Sequence, residues 1–192
     1  MRCGLRKIAR IVFLNGVGSA GKGSIAKALQ ALTREPFLHV EMDAFLQMLP
    51  EASFNHPNGM LFETIHENER PHVVIKTGPD GARALKGMRH AIAAMAAQGN
   101  NLIIDEVLFG YESIERVEYA MLLEPFEVFM VGVFASLDTL EARELNRGDR
   151  MVGLARWQYD RVHKDMKYDL EIDTDKITPV EGAQKIKQKF GL

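Results

Sequence analysis

Cysteine is almost absent: Cys3 is alone among 192 residues, so no disulfide can form within the chain and a reducing compartment is expected. Long hydrophobic runs are missing too. Nothing approaches the roughly 20 apolar residues a membrane-spanning helix needs. The apolar run that follows the basic start, residues 11–14, is too short for a signal-peptide core and ends in Asn15-Gly16. Neither sign of charge dominates. The formal net charge of -2 gives no global electrostatic reason to expect nucleic acid or a membrane surface as partner. Repeats, linkers and low-complexity tracts are lacking as well. What remains, 46% hydrophobic and 26% charged residues, is the balance of one globular domain with a full core, expected to be cytoplasmic.

Apolar runs alternate with helical patterns along the chain. Residues 7–14, 37–42, "NLIIDEVLF", "FEVFMVGVF" and "YDLEIDT" read as five strands. Between them, residues 24–33, 80–98, "VEYAMLL", 136–145, 150–164 and 179–190 carry helical spacing, with Ser136 as a cap, Gly99 as a stop and Pro179 near a start. Strands alternating with helices imply an α/β fold with a parallel five-stranded sheet, helices on both faces and right-handed crossovers. The pattern weakens over residues 51–80, where Pro57, Asn58, Gly59, Pro71, Gly78 and Pro79 punctuate it. This stretch is expected to be an inserted wall of an acceptor site within a single domain spanning 1–192, and "HVVIKTG" within it suits one arm of a hairpin.

The stretch "NGVGSAGKGS" follows the first strand and opens the first helix. It nearly matches G-x-x-x-x-G-K-[ST], a pattern that cradles phosphate with backbone N–H groups, a lysine and the helix N-terminus. Gly16, Val17, Gly18, Ser19, Ala20, Gly21, Lys22, Gly23 and Ser24 are therefore the candidate nucleotide-binding residues. Gly23 stands where the hydroxyl ligand of Mg²⁺ usually sits, and Ser24 arrives one residue late, about 100° around the helix. The expectation is that Ser24 contacts phosphate or metal while a carboxylate, phosphates and water hold Mg²⁺.

In an open parallel sheet, ligands gather beyond the carboxyl ends of the strands. Asp105, at the end of "LIID", is the expected metal carboxylate, and its neighbour Glu106 either shares that task or faces substrate. Asp173 is expected to be a capping acid. Asp43, just after the second strand, is placed to take a proton from an acceptor hydroxyl, and a helix-capping role is compatible with that. Phe45 and Phe109, just beyond strand ends, are expected to face the acceptor. "EARELNRGDRMVGLARWQYDRVHKD" has arginines on either side of a break at Gly148, which suits a small lid over about residues 143–157. Arg143, Arg147 and Arg150 are assigned there to phosphate, because the guanidinium fork matches phosphate oxygens. Arg156 and Arg161 are expected to form surface ion pairs, and His163 to be structural.

Taken together, "LNGVGSAGKGSIAKALQ", "MDAFLQMLP", "IIDEVLFG", "NRGDRMVG" and "YDLEIDT" make the chain resemble the chloramphenicol phosphotransferases, within the P-loop kinases, over about residues 11–173. That resemblance implies a nucleotide-kinase-like sheet, ATP and Mg²⁺, Lys22 on phosphate, Asp43 as base and Arg147 and Arg150 in a lid. It further implies phosphoryl transfer to the hydroxyl of a small-molecule alcohol. Two departures stand out. Those enzymes tend to place serine directly after the loop lysine, and residues 51–80 match poorly. A nucleoside or nucleotide kinase and a non-catalytic nucleotide-binding switch are the competing readings.

Overall fold

The computed structural model describes residues 8–66, 70, 72–110, 113–148 and 151–192. Five strands form one parallel sheet: β1 (Arg10–Asn15), β2 (Phe37–Glu41), β5 (Asn101–Glu106), β6 (Glu127–Phe134) and β7 (Leu170–Asp173). Their spatial order is β2-β5-β1-β6-β7, so the chain starts in the middle and reverses direction across the sheet at β1. The helices are α1 (Lys22–Leu32), α2 (Met42–Leu46), α3 (Pro79–Ala97), α4 (Ile114–Leu123), α5 (Leu137–Arg147), α6 (Leu154–Val162) and α7 (Pro179–Phe190).

Alternation along β1 builds the core on both faces, because successive side chains point to opposite sides of a strand. Val12 and Leu14 enter one cluster with Ile25, Leu29, Ile103, Val133, Ile172 and Ile186. Ile11 and Phe13 enter the other with Met88, Ile92, Leu102, Ile104 and Tyr119. With every residue from Ile11 to Leu14 at most 1% exposed, the strand is covered by helices on both sides, which explains its unbroken apolar run. Each such side chain contributes on the order of 1.5–3 kcal/mol by leaving water.

Local signals fix the helix ends. Thr178 and Glu181 form a reciprocal capping box on α7, with Pro179 in its first turn and Gly191 in the left-handed conformation at its end. Gly148 closes α5 in the same conformation, at φ 69°. The second helix expected from residue 150 begins later, at Leu154, after Gly153 at φ 99°. The weakly patterned stretch is a small antiparallel hairpin, β3 (Met60–Ile65) paired with β4 (His72–Thr77), preceded by a 3₁₀ turn at Glu51–Ser53. It leans on α6, and the Val73 N–H donates to the Gly153 carbonyl at 3.1 Å. No helix among the described residues is long and apolar enough to cross a membrane.

Candidate active site

The loop between β1 and α1 turns on two left-handed residues, Ser19 at φ 65° and Gly21 at φ 93°. Only glycine fits at position 16, where a Cβ would lie 2.4 Å from the Val133 carbonyl oxygen. Lys22 is 6% exposed and folds back over the loop, donating to the Gly16 and Val17 carbonyls at 2.9 and 3.1 Å. The Val17 and Ala20 side chains are buried in the core. Gly18, Ser19, Gly21, Lys22, Gly23 and Ser24 line a cleft of about 290 Å³, and Lys27 adds a second ammonium to it. Ser19 Oγ is buried with no hydrogen-bond partner. A loop of this shape, at the first turn of α1, has the geometry that suits phosphate binding.

Register then delivers acids to the loop. Asp105 pairs with Leu14 on one side and with Glu41 on the other. Asp105 Oδ1 lies 3.5 Å from Lys22 Nζ, and Oδ2 lies 3.8 Å from His39 Nε2. Burial works to raise the Asp105 pKa, but the Lys22 ammonium and the His39 ring outweigh it, so the carboxyl titrates below its ordinary value and stays ionised. Glu41 Oε1 is 3.6 Å from the same histidine nitrogen. These ligand atoms all lie within 4.8 Å of one another, against Gly23. The donor set therefore fits a divalent cation, and it gathers at Gly23. Ser24, the other expected metal residue, is exposed on the cleft wall.

Glu106 points to the opposite face. It accepts a hydrogen bond from Tyr119, and burial pushes its pKa up to about 7, partly offset by that bond and by the Arg89 guanidinium. Arg89 itself pairs with Glu118 at 2.6 Å. Glu106 borders both the phosphate cleft and a second, largely apolar cavity of about 490 Å³. The wall of that cavity includes Phe54, Met60, Phe62, Phe109 and Trp157, the last two in an edge-to-face pair with centroids 5.4 Å apart.

Asp43 also borders both cavities, as do Gln47, Val107 and Arg147. It sits in the first turn of α2, whose N-cap position is Glu41. Phe45 corrects an expectation. It packs against the core cluster of Phe13, Val40 and Ile104 and lines neither cavity. In a helix, Met42, Asp43, Leu46 and Gln47 share a face, and residue 45 is turned away from it.

The arginines separate by position. Arg147 reaches the junction of the two cavities from the end of α5. Arg143 lies nearer the loop, donating to Thr174 Oγ1 at 2.9 Å and to the Thr174 carbonyl at 3.0 Å, while the Thr174 hydroxyl donates to the Ala20 carbonyl at 3.0 Å. Arg150 lies outside the described residues. Arg156 pairs with Glu141, and Arg161 stacks over Trp157 at 5.1 Å. Asp173 is half-buried and pairs locally with Lys176 at 2.7 Å. His163 stacks on Phe134 at 3.8 Å and meets the Tyr168 hydroxyl at 2.8 Å. Burial and the Lys22 charge push its pKa down to about 4, so it is neutral at physiological pH.

Sequence reasoning missed several parts. Gln158 accepts from the Gly18 N–H at 2.8 Å and so ties α6 to the loop. Asn15 donates to the Leu108 carbonyl and accepts from the Leu108 N–H, locking the end of β1 to the segment after β5. Glu144 is 2% exposed and accepts from the Gly153 and Ala155 N–H groups at 2.7 and 2.8 Å, which caps α6 from α5. His39 and Glu41 had a visible signal: polar residues two apart at the end of a strand otherwise read as buried.

A central β1, a phosphate cradle and strand-end acids define a P-loop kinase fold. Solved structures agree on that fold. A sugar kinase from Janibacter sp. HTCC2649 superposes with TM-score 0.63 at 18% identity, covering 95% of each chain. The Mycobacterium tuberculosis APS kinase in complex with AMPPNP and APS superposes with TM-score 0.63 at 15% identity, covering 97% of this chain and 99% of that one. The family model "Chloramphenicol phosphotransferase-like protein" matches residues 9–191, and the chain belongs to that family. A Mycobacterium tuberculosis protein (strain ATCC 25618 / H37Rv) named "Putative O-phosphotransferase" is 33% identical over 187 residues, 94% of this chain and 82% of the relative. Family and fold place the chain among the phosphotransferases.

Proposed function

We propose that the protein is an ATP-dependent kinase that transfers the γ-phosphoryl group to a hydroxyl of a small, partly apolar alcohol of the chloramphenicol type. The observation that carries this reading is the position of Asp43, on the boundary shared by the phosphate cleft and the apolar cavity. Turnover of a neutral alcohol needs a carboxylate at that boundary, whereas a phosphate acceptor has no proton for it to remove.

In this reading the loop N–H groups and Lys22 hold the triphosphate, with Lys22 leaving its carbonyl partners for phosphate oxygens. Asp43 orients the acceptor hydroxyl and takes its proton as the oxygen attacks phosphorus. Arg147 and Arg150 stabilise the charge spreading over the transferring oxygens, and Arg143 positions the loop after β7 beside the nucleotide. Phe109 and the hairpin aromatics seat the apolar part of the acceptor, and Glu106 closes the polar side of the cavity. The segment over about residues 143–157 serves as a small lid that excludes water. Asp105 and Glu41 would hold the divalent cation that accompanies the nucleotide, which would supply charge neutralisation at the phosphates when bound.

ADP release measured over a panel of alcohols, nucleosides and nucleoside monophosphates tests the proposal. Turnover with alcohols, chloramphenicol among them, is expected. Turnover with monophosphates alone replaces it with a nucleotide kinase, and nucleotide binding without any turnover replaces it with a switch.

A further inference from the structure

Three side chains meet beside the first turn of α1, where the phosphate-loop pattern usually supplies a hydroxyl. The β2–β5 register pairs Glu41 with Asp105, and His39 lies two residues earlier on the same face of β2. His39 Nε2 stands 3.6 Å from Glu41 Oε1 and 3.8 Å from Asp105 Oδ2. These separations are too long for hydrogen bonds. That nitrogen is nonetheless buried and makes no hydrogen bond, and the His39 side chain is 10% exposed. A buried polar atom without a partner is destabilising, so this nitrogen is poised for a ligand.

Gly23 lies at the same place. A Cβ there would lie 3.4 Å from both Asp105 Oδ2 and Glu41 Oε1, about van der Waals contact, so position 23 borders the oxygens of both acids. Lys22 approaches Asp105 through the other oxygen, Oδ1, which leaves Oδ2 turned to the histidine.

We infer that His39, Glu41 and Asp105 form a site for a divalent transition-metal ion, with the imidazole in the role of the hydroxyl that Gly23 lacks. Two atoms each about 2.1 Å from an ion stand about 3.0 Å apart at right angles and about 4.2 Å apart across it. The separations of 3.6 and 3.8 Å fall between these limits, so one ion reaches all three residues with small side-chain adjustments. A set of one nitrogen and two carboxylate oxygens favours a first-row transition ion over Mg²⁺, which prefers oxygen and water. The competing account is a protonated His39 acting as counter-ion to the two carboxylates, with no metal. The inference does not rest on phosphoryl transfer, because the three residues are gathered without nucleotide or acceptor.

Mn²⁺ is the probe. It is added to the full chain without nucleotide, above the usual imidazole pKa, and followed by electron paramagnetic resonance with Mg²⁺ as competitor. Binding of one Mn²⁺ is expected, about tenfold or more tighter than Mg²⁺, with a ligand-nitrogen coupling in the pulsed spectrum. His39→Asn should abolish that coupling and weaken Mn²⁺ by about tenfold or more, at least the loss that follows removal of an outer-sphere partner. No binding to the wild-type chain, or binding without nitrogen coupling, overturns the site. Since the coupling is read on the wild type, the result stands even where the variant does not fold.

Discussion

The phosphate half of the crevice and the acceptor half are built from different material. The first is backbone: a loop held by two left-handed residues and by Gly16 against Val133, on a strand that is buried on both faces. The second is side chain, with Phe54, Phe62, Phe109 and Trp157 presented by the end of the 3₁₀ turn, the first hairpin strand, a post-strand segment and α6. A backbone cradle tolerates little change, because its donors cannot be substituted away without moving the chain. An aromatic wall can be repainted residue by residue. One architecture of this kind can keep a single chemistry while exchanging acceptors.

That contrast can be broken at the seam first. Asp43→Asn should lower turnover by about 10²–10⁴-fold while nucleotide affinity, measured by calorimetry, is unchanged. Equal turnover would dissolve the seam. Glu106 gives the next largest effect. Its carboxyl is raised to about 7 in the folded chain, so between about pH 4.5 and 7 the folded state holds a proton that the unfolded state has released. Stability from this group is present at acid pH, falls as pH rises through that window and levels off above it, by at most about 3 kcal/mol. Denaturant titrations across pH should show this fall, and Glu106→Gln should flatten it. The sharpest separation of the halves comes with the smallest energy. Lys22→Ala should weaken nucleotide by about tenfold or more, about 1.4 kcal/mol, and Gly23→Ser should leave it within about threefold. If the acceptor affinity moved with nucleotide affinity in Lys22→Ala, the halves would not be independent.

Legibility in the sequence followed the same divide. Three of the five strands, β1, β5 and β6, were readable as dense apolar runs, β2 and β7 as short segments mixing apolar and charged residues, and the loop because its glycines sit at fixed spacing after the first strand. The hairpin was half visible, as "HVVIKTG", because its other arm, Met60–Ile65, mixes Glu63 and Thr64 into a short, mostly half-buried strand. Phe45 was misplaced because proximity to a strand end says nothing about which face of the next helix turn a residue occupies. The late start of α6 depends on Glu144, a residue of the preceding helix, and no local pattern announces a cap from elsewhere in the chain. His39 escaped for a related reason: its meaning lies in the neighbouring strand, sixty-odd residues away.

A backbone hydrogen bond from Val73 to Gly153 joins the hairpin to the start of α6, and Gln158 on that helix holds Gly18. Three segments distant in the chain are therefore strung on one tether. A tug on the aromatic wall is felt at the anion cradle through two bonds and one turn of helix, so a change that loosens the hairpin reaches farther than its surface position suggests.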